Sequence, residues 1–186
     1  MIKPWRTLSS RPLGDFRVFS VRQDRKVSPR TGREHDYFII DCPDWVNVVA
    51  LTPSRQMVLV EQFRHGSNSV ELEIPGGVID PADANPVAAA CRELAEETGY
   101  EGEKPILLGH VFPNPAIMSN RCYAVLVQNC RLARPLHMDD DEDLDTILFP
   151  IEQVGELVAS GRIRHSLVVA TLHLFDLWSK KSAPPR

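Results

Sequence analysis

Short apolar runs separated by turn residues organise the first half of the chain. "FRVFSVRQDRKV" alternates well enough to predict a strand, "SPRTGRE" supplies a turn, and "HDYFIID" predicts a second strand. After a break at "CPDW", the runs "VNVVALT" and "QMVLVEQFR" flank the turn "PSR" and predict a hairpin, with Val58 and Val60 facing opposite to Leu59 and Glu61. "VELEIPGG" reads as a short strand ended by Pro75 and a glycine pair. Further on, "KPILLGHVF" and "RCYAVLVQNC" predict strands joined by the loop "PNPAIMSN". An acidic run, "MDDDEDLD", precedes the short strand "TILFP". Two helices, "IEQVGELVAS" and "HSLVVATLHLFDLW", close the chain ahead of a frayed tail, "SKKSAPPR".

Between these sheet-forming halves the period changes from two to about 3.6. Asn85 suits an N-cap, Pro86 the first helical turn, and Gly99 the left-handed stop, so a helix is predicted between them. Val87, Ala90, Cys91 and Leu94 share one face, which should pack on a sheet.

A chain of 186 residues suffices for one sizeable core and leaves little for a second. The expected organisation is an extension over 1–13, one domain over 14–180 and a flexible tail over 181–186. The formal net charge is -4, and no helix-length run is basic, so no nucleic-acid partner is expected. No apolar run approaches the roughly 20 residues that span a membrane, and the start lacks a secretion-signal core, so the expected location is the cytoplasm. Cys42, Cys91, Cys122 and Cys130 form no close metal-binding pair, and Cys91 and Cys122 read as small core residues.

Glu93, Glu96 and Glu97 stand at i, i+3 and i+4 near the negative end of the helix dipole, where like charges cost about 0.2–0.5 kcal/mol per pair. A solvated acidic face is one reading. A divalent cation is the other, because Mg²⁺ or Mn²⁺ takes hard oxygen ligands from carboxylates together with substrate phosphates. Gly76 and Gly77 favour the second, since a backbone without side chains lets a ligand come close to a carbonyl.

The stretch from Gly77 to Tyr100 resembles the box of the Nudix hydrolases: a glycine, five residues, a glutamate, seven residues, then Arg-Glu-aliphatic-x-Glu-Glu-x-Gly-aliphatic. "RELAEETGY" matches the second part, with Tyr100 in place of an aliphatic residue. In the first part Asp83 replaces the glutamate, and eight residues rather than seven separate it from Arg92. The resemblance implies an α/β fold of the α+β type, with mixed β-sheets sandwiched by helices and an N-terminal antiparallel sheet. It implies Glu93, Glu96, Glu97 and the Gly77 carbonyl as ligands of Mg²⁺, or of Mn²⁺, with Arg92 orienting the carboxylates. The implied reaction is hydrolysis of a P–O–P bridge, with Glu97 bridging metals and a candidate base.

The likeness extends to the ADP-ribose and nucleoside diphosphate sugar pyrophosphatases. There a loop glutamate acts on the water, a place matched here by Glu142, with Asp140 and Asp143 as rivals. Gln62-Phe63-Arg64 matches a glutamine-x-arginine pattern, which implies a phosphate contact for Arg64, and Glu73 matches an acidic position that contacts substrate or braces the site. Ser119 and Asn120 are neutral where that branch often carries charge, which leaves room for sugars other than ribose. A homodimer is also implied, with Trp5 and Trp45 compatible with it or with a monomer core. Competing readings are hydrolysis of a dinucleoside polyphosphate, a nucleoside triphosphate or an RNA 5′ end, a non-catalytic nucleotide-binding module, and a small isomerase of the same fold.

Overall fold

The computed structural model describes residues 1–134 and 143–182. The chain divides into two compact units, Met1–Asp44 with Phe112–Arg121, and Trp45–Val111 with Cys122–Arg186.

The first unit is an antiparallel sheet in the order β1 (Arg6–Asp15), β2 (Ser20–Val27), β3 (Glu34–Asp41). Residues 6–13, part of the extension expected from the sequence, form most of β1. This strand hides from pattern reading because nearly all of it is exposed. It is held by pairing with β2, by Ser10 Oγ donating to Asp24 at 2.8 Å, and by Arg11 donating to Gln23 at 2.6 Å. Pro12 costs little there, since an edge strand has one side with no ladder to donate to. The loop 112–121 is tied to the end of β3. Ser119 Oγ donates to Asp41 at 2.7 Å, and Asn120 Nδ2 donates to the Pro43 carbonyl at 3.0 Å.

The second unit has two sheets. One runs β7 (Gly76–Val78), β4 (Trp45–Ala50), β9 (Cys122–Leu132), β8 (Tyr100–Val111), with β4 and β9 parallel and the other pairs antiparallel. The other is antiparallel, β10 (Leu144–Pro150), β5 (Gln56–Arg64), β6 (Ser69–Glu73). The hairpin expected from 46–64 does not form. Beyond a single bridge between Leu51 and Met57, β4 and β5 lie in different sheets. The reason is burial: Val46, Val48, Val49 and Ala50 are all inaccessible, and a strand buried on both faces belongs between helices.

Val46, Val48 and Ala50 pack with Val58, Ala89, Ala90 and Leu94, so α1 (Pro86–Thr98) covers one side of β4. Val49 joins Met57, Leu59, Ile163 and Val168 in a second cluster that includes α2 (Val154–Ala159) and α3 (Ser166–Ser182). Asn47 crosses to α3 through Thr171 Oγ1 at 3.3 Å. The result is mixed sheet flanked by helices, with an antiparallel N-terminal sheet. The helix α3 continues past Trp178, where the pattern ended it, to Ser182. Lys180 pairs with Asp176 at 2.6 Å, and Lys180 and Lys181 suit the negative helix end. Among the described residues no helix is long and apolar enough to cross a membrane.

The helix α1 ends as its sequence predicts. Asn85 Oδ1 accepts from the Val87 and Ala88 N–H groups, each at 3.0 Å, and Gly99 has φ 71. Its inward face is centred on Ala90, Leu94 and Glu97, which leaves Cys91 exposed rather than in the core, while Cys122 and Cys130 are buried. Replacing Asn85 with Ala should cost about 1 kcal/mol of unfolding free energy in urea titration. A variant indistinguishable from the parent would show that this cap contributes nothing.

Candidate active site

Two short connections bring the chemistry together. Leaving β6, the chain passes the buried Ile74 and Pro75, whose carbonyl accepts from Val48 N–H at 2.8 Å, and enters β7. Pairing with β4 places Gly76 opposite Asn47 and Gly77 opposite Val46, beside the inner face of α1.

Glu97 is 5% exposed, and its Oε2 accepts the Gly76 N–H at 2.9 Å. The Glu93 carboxylate lies against Gly77 so closely that a Cβ there would meet Oε1 at 2.5 Å and Cδ at 2.6 Å. A side chain at position 77 would therefore push the Glu93 carboxylate out of its present place. Glu96 is more exposed and accepts from Arg92 Nη1 at 2.8 Å; the same nitrogen lies 3.0 Å from Glu93 Oε1.

Arg92 organises the whole segment. Its Nε and Nη2 donate to Asp83 at 3.2 and 2.9 Å, and Nη2 also donates to the Val78 carbonyl at 3.0 Å. Asp83 in turn accepts the Asp80 N–H at 2.9 Å, closing the loop. Asp83 thus anchors the loop despite its shorter side chain, and the additional residue before the helix accommodates it. The Arg92 hydrogen bonds hold the Asp83 carboxyl below its ordinary range, and Asp83 foremost raises Arg92.

Among the described residues no group of three or more His, Cys, Asp or Glu is gathered as a metal cage. The donors nevertheless suit a hard divalent cation: three carboxylates on adjoining turns beside a backbone that Gly77 leaves uncovered. Arg92 holds Glu93 and Glu96 through one nitrogen, so a cation would compete with Arg92 for those carboxylates.

The remaining predicted residues meet on β5 and β6. Arg64 Nε and Nη2 donate to the two oxygens of Glu73, both at 2.9 Å, and Glu73 is only 2% exposed. This pairing uses the Nε–Nη2 edge of the guanidinium and leaves its Nη1–Nη2 end for a further acceptor. Glu73 is the foremost influence raising Arg64, and the charge of Glu97 also contributes, which puts Arg64 within electrostatic reach of the glutamate helix. Glu142 and Asp140 lie outside the described residues, and Asp143 immediately precedes β10. Asn120 is buried and its amide braces Pro43, while Ser119 is bound to Asp41, so both serve the first unit's loop.

Sequence reading missed the segment "RIRH" (162–165), which sets an arginine against Glu71 and a histidine beside Glu73 of "ELE" (71–73). Arg164 grips Glu71 at 2.7–3.2 Å, and His165 Nδ1 stands 3.3 Å from Glu73 Oε2. Burial pushes the Glu73 carboxyl up, but contact with His165 and Arg64 outweighs it and brings the group down to about 2. The Arg164 hydrogen bonds, then Ser69, hold Glu71 at about 2 as well.

A family model described as NUDIX domain matches residues 43–172. A methanol dehydrogenase activator of Bacillus methanolicus is 26% identical over 173 residues, 92% of each chain. An ADP-ribose pyrophosphatase of Mycobacterium tuberculosis is 26% identical over 184 residues, 97% of this chain and 87% of the relative. A solved structure of an ADP compounds hydrolase superposes with TM-score 0.86 at 22% identity, covering 98% of both chains, which establishes likeness of fold.

The depressed Glu73 carboxyl sets a pH window. Its folded value of about 2 lies below the ordinary 4.5, so its contribution to stability is present above 4.5 and is lost as pH falls toward 2. The stability difference between parent and Glu73→Gln, followed by thermal unfolding, should therefore shrink across that window. A difference constant with pH would contradict the ion pair.

Proposed function

Since the chain belongs to the Nudix family of hydrolases, we propose that it is a Mg²⁺-dependent pyrophosphohydrolase whose substrate is a nucleoside diphosphate sugar, released as a nucleoside monophosphate and a sugar phosphate. The observation that carries this reading is the placement of the Glu93 and Glu97 carboxylates against the Gly76–Gly77 backbone, with Arg64 oriented by Glu73 and within electrostatic reach of Glu97. A guanidinium beside a carboxylate helix provides both halves of what a metal-bound diphosphate needs. The names of the relatives, an ADP-ribose pyrophosphatase and an ADP compounds hydrolase, support the diphosphate and leave the sugar open.

Glu93, Glu96, Glu97 and the Gly77 carbonyl would hold Mg²⁺, with Mn²⁺ as a substitute. Bound there, the cation would supply neutralisation of the diphosphate charge and would make the attacking water easier to deprotonate. Arg64 binds phosphate oxygens and Glu73 keeps its guanidinium turned toward them. A carboxylate, Glu142 or Glu97, accepts the proton of the attacking water. The new P–O bond forms from that water, the bridging P–O bond breaks, and the bridging oxygen leaves with the second phosphate.

Incubation with Mg²⁺ and ADP-ribose, ADP-glucose, GDP-mannose, UDP-glucose, a dinucleoside polyphosphate and nucleoside triphosphates should yield a monophosphate and a sugar phosphate from a sugar nucleotide. Glu97→Gln should fold normally and lose a factor of ~10² or more in turnover, and Glu142→Gln should lose turnover with little change in nucleotide binding. Cleavage confined to polyphosphates would replace the substrate class. Silence across the panel, with Mn²⁺ also tried, would favour a nucleotide-binding module.

The proposal includes a homodimer built through the N-terminal sheet. Leu13, Phe16 and Phe38 are exposed there, and Trp5 stacks edge-on to Tyr37 with ring centres 5.7 Å apart, forming the kind of apolar surface that marks an interface. Light scattering after gel filtration should give twice the chain mass for the parent and a reduced mass for Phe38→Asp. A monomeric parent would remove the dimer from the proposal.

A further inference from the structure

The connection between α2 and α3 is pinned to the substrate-side strands by alternate residues. Ile163 is 1% exposed, sits in the second apolar cluster, and its N–H donates to the Leu157 carbonyl at 2.9 Å. On either side of it, Arg162 pairs with Glu61 of β5 and Arg164 with Glu71 of β6. His165 follows at the start of α3, where its carbonyl accepts the Val169 N–H at 3.0 Å. Its ring position is thus set by a buried anchor two residues before it and by the helix after it.

The Nδ1 atom of His165 is buried and has no well-directed hydrogen-bond partner among the described residues; it faces Glu73 Oε2 obliquely at 3.3 Å. That same oxygen accepts from Arg64 Nη2. The Glu73 carboxylate is therefore held from two sides, by Arg64 across the sheet and by His165 from the helix start. A buried carboxylate touched only by one long arginine side chain could pivot with it, whereas a contact to a rigid helix terminus fixes the carboxylate plane and hence the guanidinium.

We propose that His165 is a positioning residue for the diphosphate grip, acting through Glu73 to set the direction in which Arg64 meets phosphate. This rests on the proposed function in that it takes Arg64 as the phosphate-binding group. Stapling α3 to the sheet does not account for the contact, because Arg164 already does so through three hydrogen bonds to Glu71. Arg164 therefore serves as the internal control.

The test compares parent, His165→Ala, His165→Gln and Arg164→Gln, by steady-state kinetics on the hydrolysed sugar nucleotide and by calorimetric binding of ADP with Mg²⁺. His165→Ala should raise KM and the ADP Kd about tenfold with kcat within about twofold, as expected when an interaction equal in ground and transition states is loosened from behind. His165→Gln, whose amide can reach Glu73 from the same place, should recover most of that loss. Arg164→Gln should lower the melting temperature and leave both constants near parental values. Unchanged KM and Kd in His165→Ala would overturn the inference, as would equal rises in Arg164→Gln. Should the parent hydrolyse none of the panel, the proposed substrate reading fails while ADP binding still decides the role of His165: weakening in His165→Ala supports it, and no weakening, or no binding by the parent, overturns it.

Discussion

The Arg92 guanidinium binds the loop before α1 at Asp83 and the Val78 carbonyl, and the helix itself at Glu96 and Glu93. The loop before the helix and two of its three glutamates depend on that clasp. Three carboxylates on adjoining turns repel, and the helix dipole at its C-terminal end offers them no relief. One planar cation with several donors offsets the repulsion and sets the loop, and with it the approach of Gly77 to Glu93. Lysine at this position would offer a point charge in place of the fork.

A second constraint is the burial of β4 on both faces. It forces helices onto both sides of the sheet, and it holds the Gly76–Val78 strand by a ladder rather than by side chains. The backbone N–H of Gly76 then becomes a fixed donor, which is what keeps the buried Glu97 carboxylate in place. Glu73 is treated in the same way. Removing a carboxylate from water costs several kcal/mol unless its oxygens are satisfied, and here a bidentate arginine satisfies both, with His165 Nδ1 3.3 Å from one of them. Both buried acids are stabilised by partners that hold them in one place.

Most of the local architecture of α1 was legible in the residues. The asparagine cap, the proline in the first turn, the glycine stop and the register of Glu93, Glu96 and Glu97 all depend on neighbours within a few positions. The strand boundaries of β3, β5 and β9 followed from apolar runs for the same reason. Cys91 shows the limit even here, since periodicity defines a stripe but only the facing sheet decides how wide a stripe it covers.

What the sequence by itself determined, then, is whatever is encoded by spacing along one element: the capped helix, the register of its three glutamates and the glycine pair that lies beside two of them. Tertiary structure decided the partners. The apolar run of β4 was as compatible with a hairpin to β5 as with a parallel pairing to β9, and burial on two faces selected the latter. Exposed β1 carried no apolar alternation to read, and its pairing with β2 alone makes it a strand. The grip of Arg164 on Glu71 joins residues 93 positions apart, and His165 reaches Glu73 beside it. Charge complementarity at such separation has no period, so it becomes visible only when packing of Ile163 brings the helix start against the sheet.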